Sequence, residues 1–91
     1  MEQILILFKI DLGITHTLRD AYFIKFLGAS KIEIESKGIS IDLMDTEDQM
    51  LLSDYATWKY RKRQEDAGMP RNIQLRIRNR IVKERSKYAG T

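Results

Sequence analysis

Apolar side chains recur along this chain at the three- and four-residue spacing of α-helices, and the pattern pauses at three places. The pauses fall at Gly13, at Gly38, and at Gly68 with Pro70. Because glycine and proline interrupt helices and favour turns, these residues divide the chain into four segments. The pattern therefore predicts an all-α fold, a small bundle of about four helices. The length of 91 residues fits one domain, residues 1–91.

The first two segments predict two short helices. Segment one covers about residues 2–12 and ends at Gly13, a residue that tolerates the left-handed conformation of a helix end. Segment two opens at Thr17, whose side chain can accept a hydrogen bond from an unpaired N–H at the helix start. The Asp20 side chain, three residues on, can accept the N–H of Thr17 in return, which would form a variant capping box. The side chains expected to face the core from this segment are Leu18, Tyr22, Phe26 and Ala29.

Residues 31–43 allow two interpretations. They alternate apolar and polar side chains around Gly38, as a short β-hairpin does. However, a hairpin of two strands alone is only marginally stable, and nothing interrupts the helical pattern before these residues. We therefore predict that the second helix continues to about Ser36. A short hairpin or loop near residues 31–43 is the alternative.

The last two segments carry clear start signals. Asp45 is a good N-cap for the third helix, and Glu47 and Asp48 then meet the positive end of the helix dipole. The face of this helix predicted to be buried holds Leu51, Tyr55 and Trp58, with Leu52 and Ala56 beside them. Pro70 predicts the start of the fourth helix, which repeats an isoleucine every four residues. Alternation around Leu75 also permits a strand, but the proline and the continued apolar pattern favour a helix.

Charge is divided unevenly along the chain. Residues 59–91 hold eleven basic side chains against three acidic ones, a balance of +8, whereas residues 1–58 hold five against ten, a balance of −5. Such a division suits a subunit whose neighbours or partners present charged surfaces. It also makes the basic C-terminal segment the first candidate for a functional surface.

The sequence offers little for catalysis. It contains no cysteine, which excludes disulfides and thiolate chemistry, and its one histidine, His16, stands at a predicted helix start without a nucleophile nearby. The acidic residues 42–48 lack the spacing and central glycine of a calcium loop, and no glycine-rich phosphate loop occurs. We therefore predict a protein that is not an enzyme and needs no cofactor. The apolar run at residues 4–8 is too short for a membrane span or a signal sequence, so we also predict a soluble protein.

The basic segment has three possible roles. The simplest is a solvated helix face, since charged runs usually are only that. Alternatively, its arginines can neutralise phosphates while Trp58, Tyr60 and Tyr88 stack on bases. The third role is protein docking, because arginine, tyrosine, tryptophan and methionine are typical interface anchors.

The order of features along nearly the whole chain resembles the small head-tail connector proteins of tailed bacteriophages. The most specific part of the resemblance is a succession of short motifs in the C-terminal half, namely Tyr55-Ala56-x-Trp58-x-Tyr60-Arg61-x-Arg63, Met69-Pro70-Arg71 and Arg78-Asn79-Arg80. The earlier features are less specific and comprise Ile10-Asp11-Leu12-Gly13-Ile14, Ile34-Glu35, Gly38-Ile39 and Asp45-x-Glu47-Asp48. One departure is that residues 32–35 look more strand-like than the end of a helix should.

This resemblance implies an adaptor in the neck of the virion, synthesised in the host cytoplasm. Family members form a homo-oligomeric ring, a dodecamer in the virion, beneath the portal protein. The ring extends the channel for duplex DNA, which passes without sequence-specific binding, and offers a platform to a stopper, tail-completion or tail protein. The family implies no membrane contact. Helices two and three would form the ring core, and residues 70–91 would be a C-terminal docking helix or tail.

The resemblance and the residue types together give the candidate positions. The candidates for contact with the portal or a neighbouring subunit are Tyr60, Arg61, Arg63, Met69, Pro70, Arg71, Ile73, Arg76, Ile77, Arg78, Asn79, Arg80 and Ile81. A channel wall dense in arginine would hold DNA back, because each neutralised phosphate adds affinity. We therefore expect acidic groups to lie nearer the lumen or the tail side than the C-terminal arginines do, the candidates being Asp42, Asp45, Glu47 and Asp48.

The alternative function is a small DNA-binding regulator. In that case the fourth helix would enter the major groove, with Asn72, Gln74, Arg76 and Asn79 as base readers. The break at Gly68-Met69-Pro70 does not look like the compact turn of a helix-turn-helix, and the isoleucine stripe leaves few positions for one reading face. The connector function is therefore favoured.

Overall fold

Four α-helices make up the regular structure of the residues that the structure describes. The computed structural model describes the backbone of residues 1–65 and 68–89 and the side chains of residues 1–62 and 68–85. The helices are α1 (Glu2–Leu12), α2 (Asp20–Glu35), α3 (Thr46–Glu65) and α4 (Arg71–Ala89). The part of the chain that the structure describes contains no strand. The predicted all-α bundle is thus confirmed. The hairpin alternative is wrong, because residues 31–35 complete α2 and residues 36–45 form turns and a loop.

Glycine ends α1 as its sequence position predicted. Gly13 has a φ of 72°, and its N–H bonds to the Ile10 carbonyl at 3.1 Å. The next N–H, that of Ile14, bonds to the Lys9 carbonyl at 2.9 Å. This pair of bonds satisfies two carbonyls that the helix end would otherwise leave open, and it requires a left-handed residue between them.

The start of α2 differs from the prediction. The helix begins at Asp20 rather than near Thr17, and Arg19 occupies the N-cap position without a side-chain cap bond. Asp20 does not complete a capping box, because its carboxylate accepts a hydrogen bond from the Lys9 amine on α1 at 2.8 Å. An ion pair between two helices therefore replaces the predicted local contact.

The buried face of α2 is also different from the predicted one. The core side chains are Phe23, Leu27, Ser30 and Ile34. Of the four predicted residues, Phe26 is half-buried and packs against the core, whereas Leu18 is 88% exposed and Ala29 and Tyr22 are exposed. Apolar residues are adjacent at positions 22–23 and 26–27, so two stripes with helical spacing were available. The polar Ser30 interrupts the apolar stripe that is in fact buried. Its hydroxyl donates a hydrogen bond to the Phe26 carbonyl at 2.9 Å, and the side chain can therefore be buried.

The core lies where α3 meets the other helices. The Tyr60 ring of α3 stands edge-on to three phenylalanine rings, with centroid distances of 5.9 Å to Phe8, 5.8 Å to Phe23 and 5.8 Å to Phe26. Phe8 comes from α1 and the other two from α2, so one aromatic cluster joins three helices. The buried residues predicted on α3 are confirmed, with Trp58 half-buried beside Leu51, Leu52, Tyr55 and Ala56.

The capping predictions for the last two helices are confirmed. The Asp45 carboxylate accepts the N–H of Asp48 at 3.1 Å and so caps α3. The Pro70 carbonyl accepts the N–H groups of Ile73 and Gln74, both at 3.1 Å, and α4 starts at the next residue after the proline. Ile73 and Ile77 are buried against the core and Ile81 is half-buried, as their spacing predicted.

Gly28 weakens α2 without a packing reason inside the subunit. A Cβ added there meets no atom within 4 Å, and the backbone is ordinary helix. We therefore expect Gly28→Ala to stabilise the monomer by about 1 kcal/mol and raise Tm by about 4–8 °C. Gly13→Ala is the matched control, because its φ of 72° makes the same change destabilising. Thermal unfolding followed by circular dichroism measures both. A lower Tm for Gly28→Ala would contradict the prediction.

Candidate docking surface on the C-terminal helix

The inner face of α4 fixes this helix to α3. Ile73 and Ile77 insert into the core, and Arg76 beside them donates to the Asp54 carboxylate of α3 at 2.7 Å. Burial of the two isoleucines supplies the attraction, and the arginine bond sets the rotation of the helix. Arg76 therefore has an internal partner and does not reach outward.

Arg80 on α4 pairs with the buried carboxylate of Asp48 on α3. Arg80 Nη1 donates to one carboxylate oxygen of Asp48, and Nη2 donates to the other at 3.1 Å, so the ion pair is bidentate. Asp48 is only 1% exposed. Burial alone would raise the pKa of the Asp48 carboxyl, but the Arg80 guanidinium and the Asp42 and Asp45 contacts together hold this pKa below its usual value. The same ion pair raises the pKa of Arg80.

The loop before α3 is tied to α4 by the same group of side chains. Arg80 Nη2 donates to the Ser40 carbonyl at 2.9 Å, and the Ser40 N–H donates to Glu84 at 2.9 Å. On the other side, the Ile41 N–H donates to Glu35 at 3.1 Å, a bond that lowers the pKa of that carboxyl. Two helices therefore hold the loop between them, and α4 has a fixed orientation.

The outer face of α4 carries apolar and basic side chains in one line. Leu75 is 42% exposed and Val82 is 58% exposed, and the arginines Arg71 and Arg78 are exposed on the same side. We call these four residues the α4 outer face. Their spacing of i, i+4, i+7 and i+11 places them along one stripe of a helix, opposite the isoleucines that face α3.

The structure sorts the predicted contact residues into separate groups. Exposed on α4 or just before it are Pro70, Arg71, Arg78 and Asn79, and Arg61 is exposed on α3. Facing inward, buried or half-buried, are Tyr60, Met69, Ile73, Arg76, Ile77, Arg80 and Ile81. The side chains of Arg63 and Tyr88 lie outside the described residues, as does the end of the predicted docking segment 70–91. About half of the candidates therefore stabilise the subunit itself.

Two exposed residues of the outer face were not among the candidates from the sequence. Leu75 and Val82 stand seven residues apart, which is two turns of a helix. Both fall outside the four-residue isoleucine repeat that defines the inner face. An apolar pair off the buried stripe was the available signal, and the stronger isoleucine pattern hid it.

The acidic candidates share a groove with α4. Asp42, Asp45 and Glu47 are exposed, whereas Asp48 is buried and bonded to Arg80. All four line a groove of about 650 Å³ whose other wall is the α4 residues Arg76, Asn79, Arg80 and Lys83. Asp48 therefore belongs to the interior, and the acidic surface consists of the other three carboxylates.

No protein-family model, curated protein or solved structure matches this chain. Within the described residues, no group of histidine and carboxylate side chains has the arrangement of a metal site. None of the helices there is both long and apolar enough to span a bilayer.

Proposed function

We propose that this chain is a head-tail connector of a tailed bacteriophage, a structural virion protein without enzymatic activity. Its copies would form a ring beneath the portal protein, extend the DNA channel and offer a platform to the next neck or tail protein. The observation that carries the proposal is the α4 outer face, on which the apolar Leu75 and Val82 alternate with Arg71 and Arg78. The motif resemblance supplies the family, and this surface supplies a means of attachment.

The outer face has the chemistry of a docking helix. Protein interfaces combine an apolar centre with arginine anchors, and helices that bind in a groove present residues spaced three or four apart along one face. Arg71, Leu75, Arg78 and Val82 follow that spacing. These four positions lie within twelve residues and cover about 16.5 Å of helix. A portal groove with apolar lining and acidic edges would complement them.

The helix is already ordered in the isolated subunit. Arg76 and Arg80 bond to Asp54 and Asp48, and the isoleucine face packs on α3. A preformed docking element loses less conformational entropy on binding than a disordered tail does. The internal ion pairs therefore support docking although they do not touch the partner.

The same ion pairs reduce the positive charge available to DNA. Two of the C-terminal arginines are neutralised inside the subunit, and Asp42, Asp45 and Glu47 remain exposed. Weak phosphate binding suits a channel through which duplex DNA slides. The regulator alternative gains less support, because Arg76 and Gln74, two of its four base readers, are bonded to Asp54 and to the Met69 carbonyl.

Binding to the purified portal protein of the same phage tests the proposal. We expect Leu75→Asp or Arg78→Glu each to weaken portal binding by about 30-fold or more, the effect of losing an interface anchor. Leu18→Asp and Lys37→Glu are matched controls at exposed positions elsewhere and should bind normally. Surface plasmon resonance measures the affinities.

Native mass spectrometry with and without portal distinguishes a connector from a protein that does not assemble with the portal. A connector is expected to form a closed ring or to join the portal as one. A fixed dimer that ignores portal would rule the connector function out. Steeply salt-dependent binding of duplex DNA that Arg76→Ala abolishes would instead favour the regulator.

A further inference from the structure

The outward side of α2 is apolar and contains an unexplained glycine. Ala21, Ile24, Gly28 and Ile32 fall on one stripe, turned away from the buried Phe23 side of the helix. We call these four residues the α2 strip. Both isoleucines are exposed, and a Cβ at Gly28 would meet open space. Since neither φ nor packing within the subunit requires glycine there, close approach by another chain is a physical reason for it.

A second exposed stripe lies on α1. Ile6 and Ile10 stand one turn apart on the side opposite the buried Ile4, Leu5 and Phe8. Glu2 precedes them by one further turn. We call Glu2, Ile6 and Ile10 the α1 strip. It has two protruding isoleucines where the α2 strip has a gap between two isoleucines.

We propose that the α1 strip of one copy packs on the α2 strip of the next copy, with Ile6 seated at Gly28. This inference rests on the ring assembly proposed above and names the faces that build it. A parallel register with Ile6 at Gly28 also places Ile10 beside Ile32. The missing side chain at Gly28 lets the two helices approach closely enough for both contacts.

Charge favours the same register. Glu2 lies one turn before Ile6, and the exposed Lys25 lies about one turn before Gly28. In the parallel arrangement these opposite charges stand side by side at the edge of the apolar contact, where they select orientation. The two strips differ in chemistry, so the contact joins unlike faces. Such head-to-tail contacts build rings, whereas a contact between identical faces stops at a dimer.

Cysteine cross-linking tests the pairing cleanly because the chain has no cysteine of its own. Ile10 and Ile32, each 69% exposed, are replaced by cysteine together and singly in the full-length chain. A short thiol cross-linker is then applied at concentrations where the wild-type chain assembles, with portal present if assembly needs it. We expect a ladder of products beyond the dimer from the double variant and none from either single variant.

The other cross-linking outcomes each overturn the pairing. Dimers from the Ile32→Cys variant alone would indicate that α2 strips pair with each other, and linkage only to portal would assign the strip to that partner. A ring that forms normally without cross-links in the double variant would disprove these faces and leave the connector function intact. A wild-type chain that forms no closed oligomer even with portal would remove the connector function as well.

A larger side chain at position 28 tests the close contact between copies independently of cross-linking. We expect Gly28→Leu to leave Tm of the monomer at or above the wild-type value while weakening ring assembly by about tenfold or more. Ala29→Leu is the matched control, because Ala29 is an exposed neighbour outside the strip. Assembly is followed by native mass spectrometry across a dilution series. Normal assembly of Gly28→Leu would refute the close contact.

Discussion

The Arg80→Met variant is expected to lose about 3–5 kcal/mol of unfolding free energy at pH 7, because it leaves a buried carboxylate without its cation. Asp48 is 1% exposed and depends on Arg80 for its charge-assisted bonds. Removing one member of a buried ion pair costs more than the pair contributes, since the remaining charge stays desolvated. The variant also loses the bond from Arg80 to the Ser40 carbonyl.

Urea unfolding at pH 7, 5 and 3 measures this effect and its pH dependence. In the wild type the pKa of Asp48 lies below its unfolded value of 3.8, so its stabilisation is present above about pH 4 and is lost as pH falls further. Arg80→Met removes the lowering effect of the guanidinium and leaves burial opposed only by the Asp42 and Asp45 contacts. The pKa of the Asp48 carboxyl should therefore lie higher in the variant than in the wild type, and the variant should lose less stability as pH falls from 7. The difference between the two proteins should therefore shrink in acid.

Arg78→Met is the matched control, an arginine on the exposed side of the same helix. Its stability should stay within about 0.5 kcal/mol of the wild type at every pH. Equal losses for the two variants would mean that general charge, rather than the Asp48 ion pair, governs the stability of α4. A loss for Arg80→Met that grows in acid would also contradict the assignment.

The end of α1 and the starts of α3 and α4 were predictable because they depend on neighbours in sequence, whereas the start of α2 was not. Gly13 ends α1 because glycine adopts the left-handed backbone conformation without strain. The Asp45 carboxylate accepts the N–H of the residue three positions on, and Pro70 directly precedes α4. The rotation of α2 was not predictable from spacing, because it depends on which of two apolar stripes the rest of the core accepts. The observed ion pair between Lys9 and Asp20 joins two helices, and periodicity within one helix cannot reveal it.

The candidate docking surface also combines features set by neighbours in sequence with features set by contacts between helices. The sequence located its helix and its arginines, and Arg71 and Arg78 are indeed exposed there. It could not separate them from Arg76 and Arg80, whose partners lie 22 and 32 residues away in the chain. Local charge therefore identified the basic segment, and only the packing of α4 on α3 determined which arginines a partner can reach.

The Phe8→Ala variant is expected to lose about 3–5 kcal/mol of unfolding free energy, because it opens a cavity where three helices meet. Phe8 is fully buried and its ring lies 5.5 Å from Phe23 and 5.9 Å from both Phe26 and Tyr60. A domain of this size has about 5–14 kcal/mol of stability in total. The variant should therefore be close to unfolding at 37 °C.

Phe8→Leu separates lost volume from lost ring contacts. Leucine keeps most of the apolar volume but removes aromatic pairs worth roughly 0.5–1.5 kcal/mol each, so its stability should fall between the wild type and Phe8→Ala. Leu18→Ala, at a side chain that is 88% exposed, should change stability by less than about 0.5 kcal/mol. Urea unfolding at pH 7 gives all three values. If Phe8→Ala proved as stable as Leu18→Ala, the cluster around Tyr60 would not be the centre of the core, and α1 would owe its position to the Lys9–Asp20 ion pair instead.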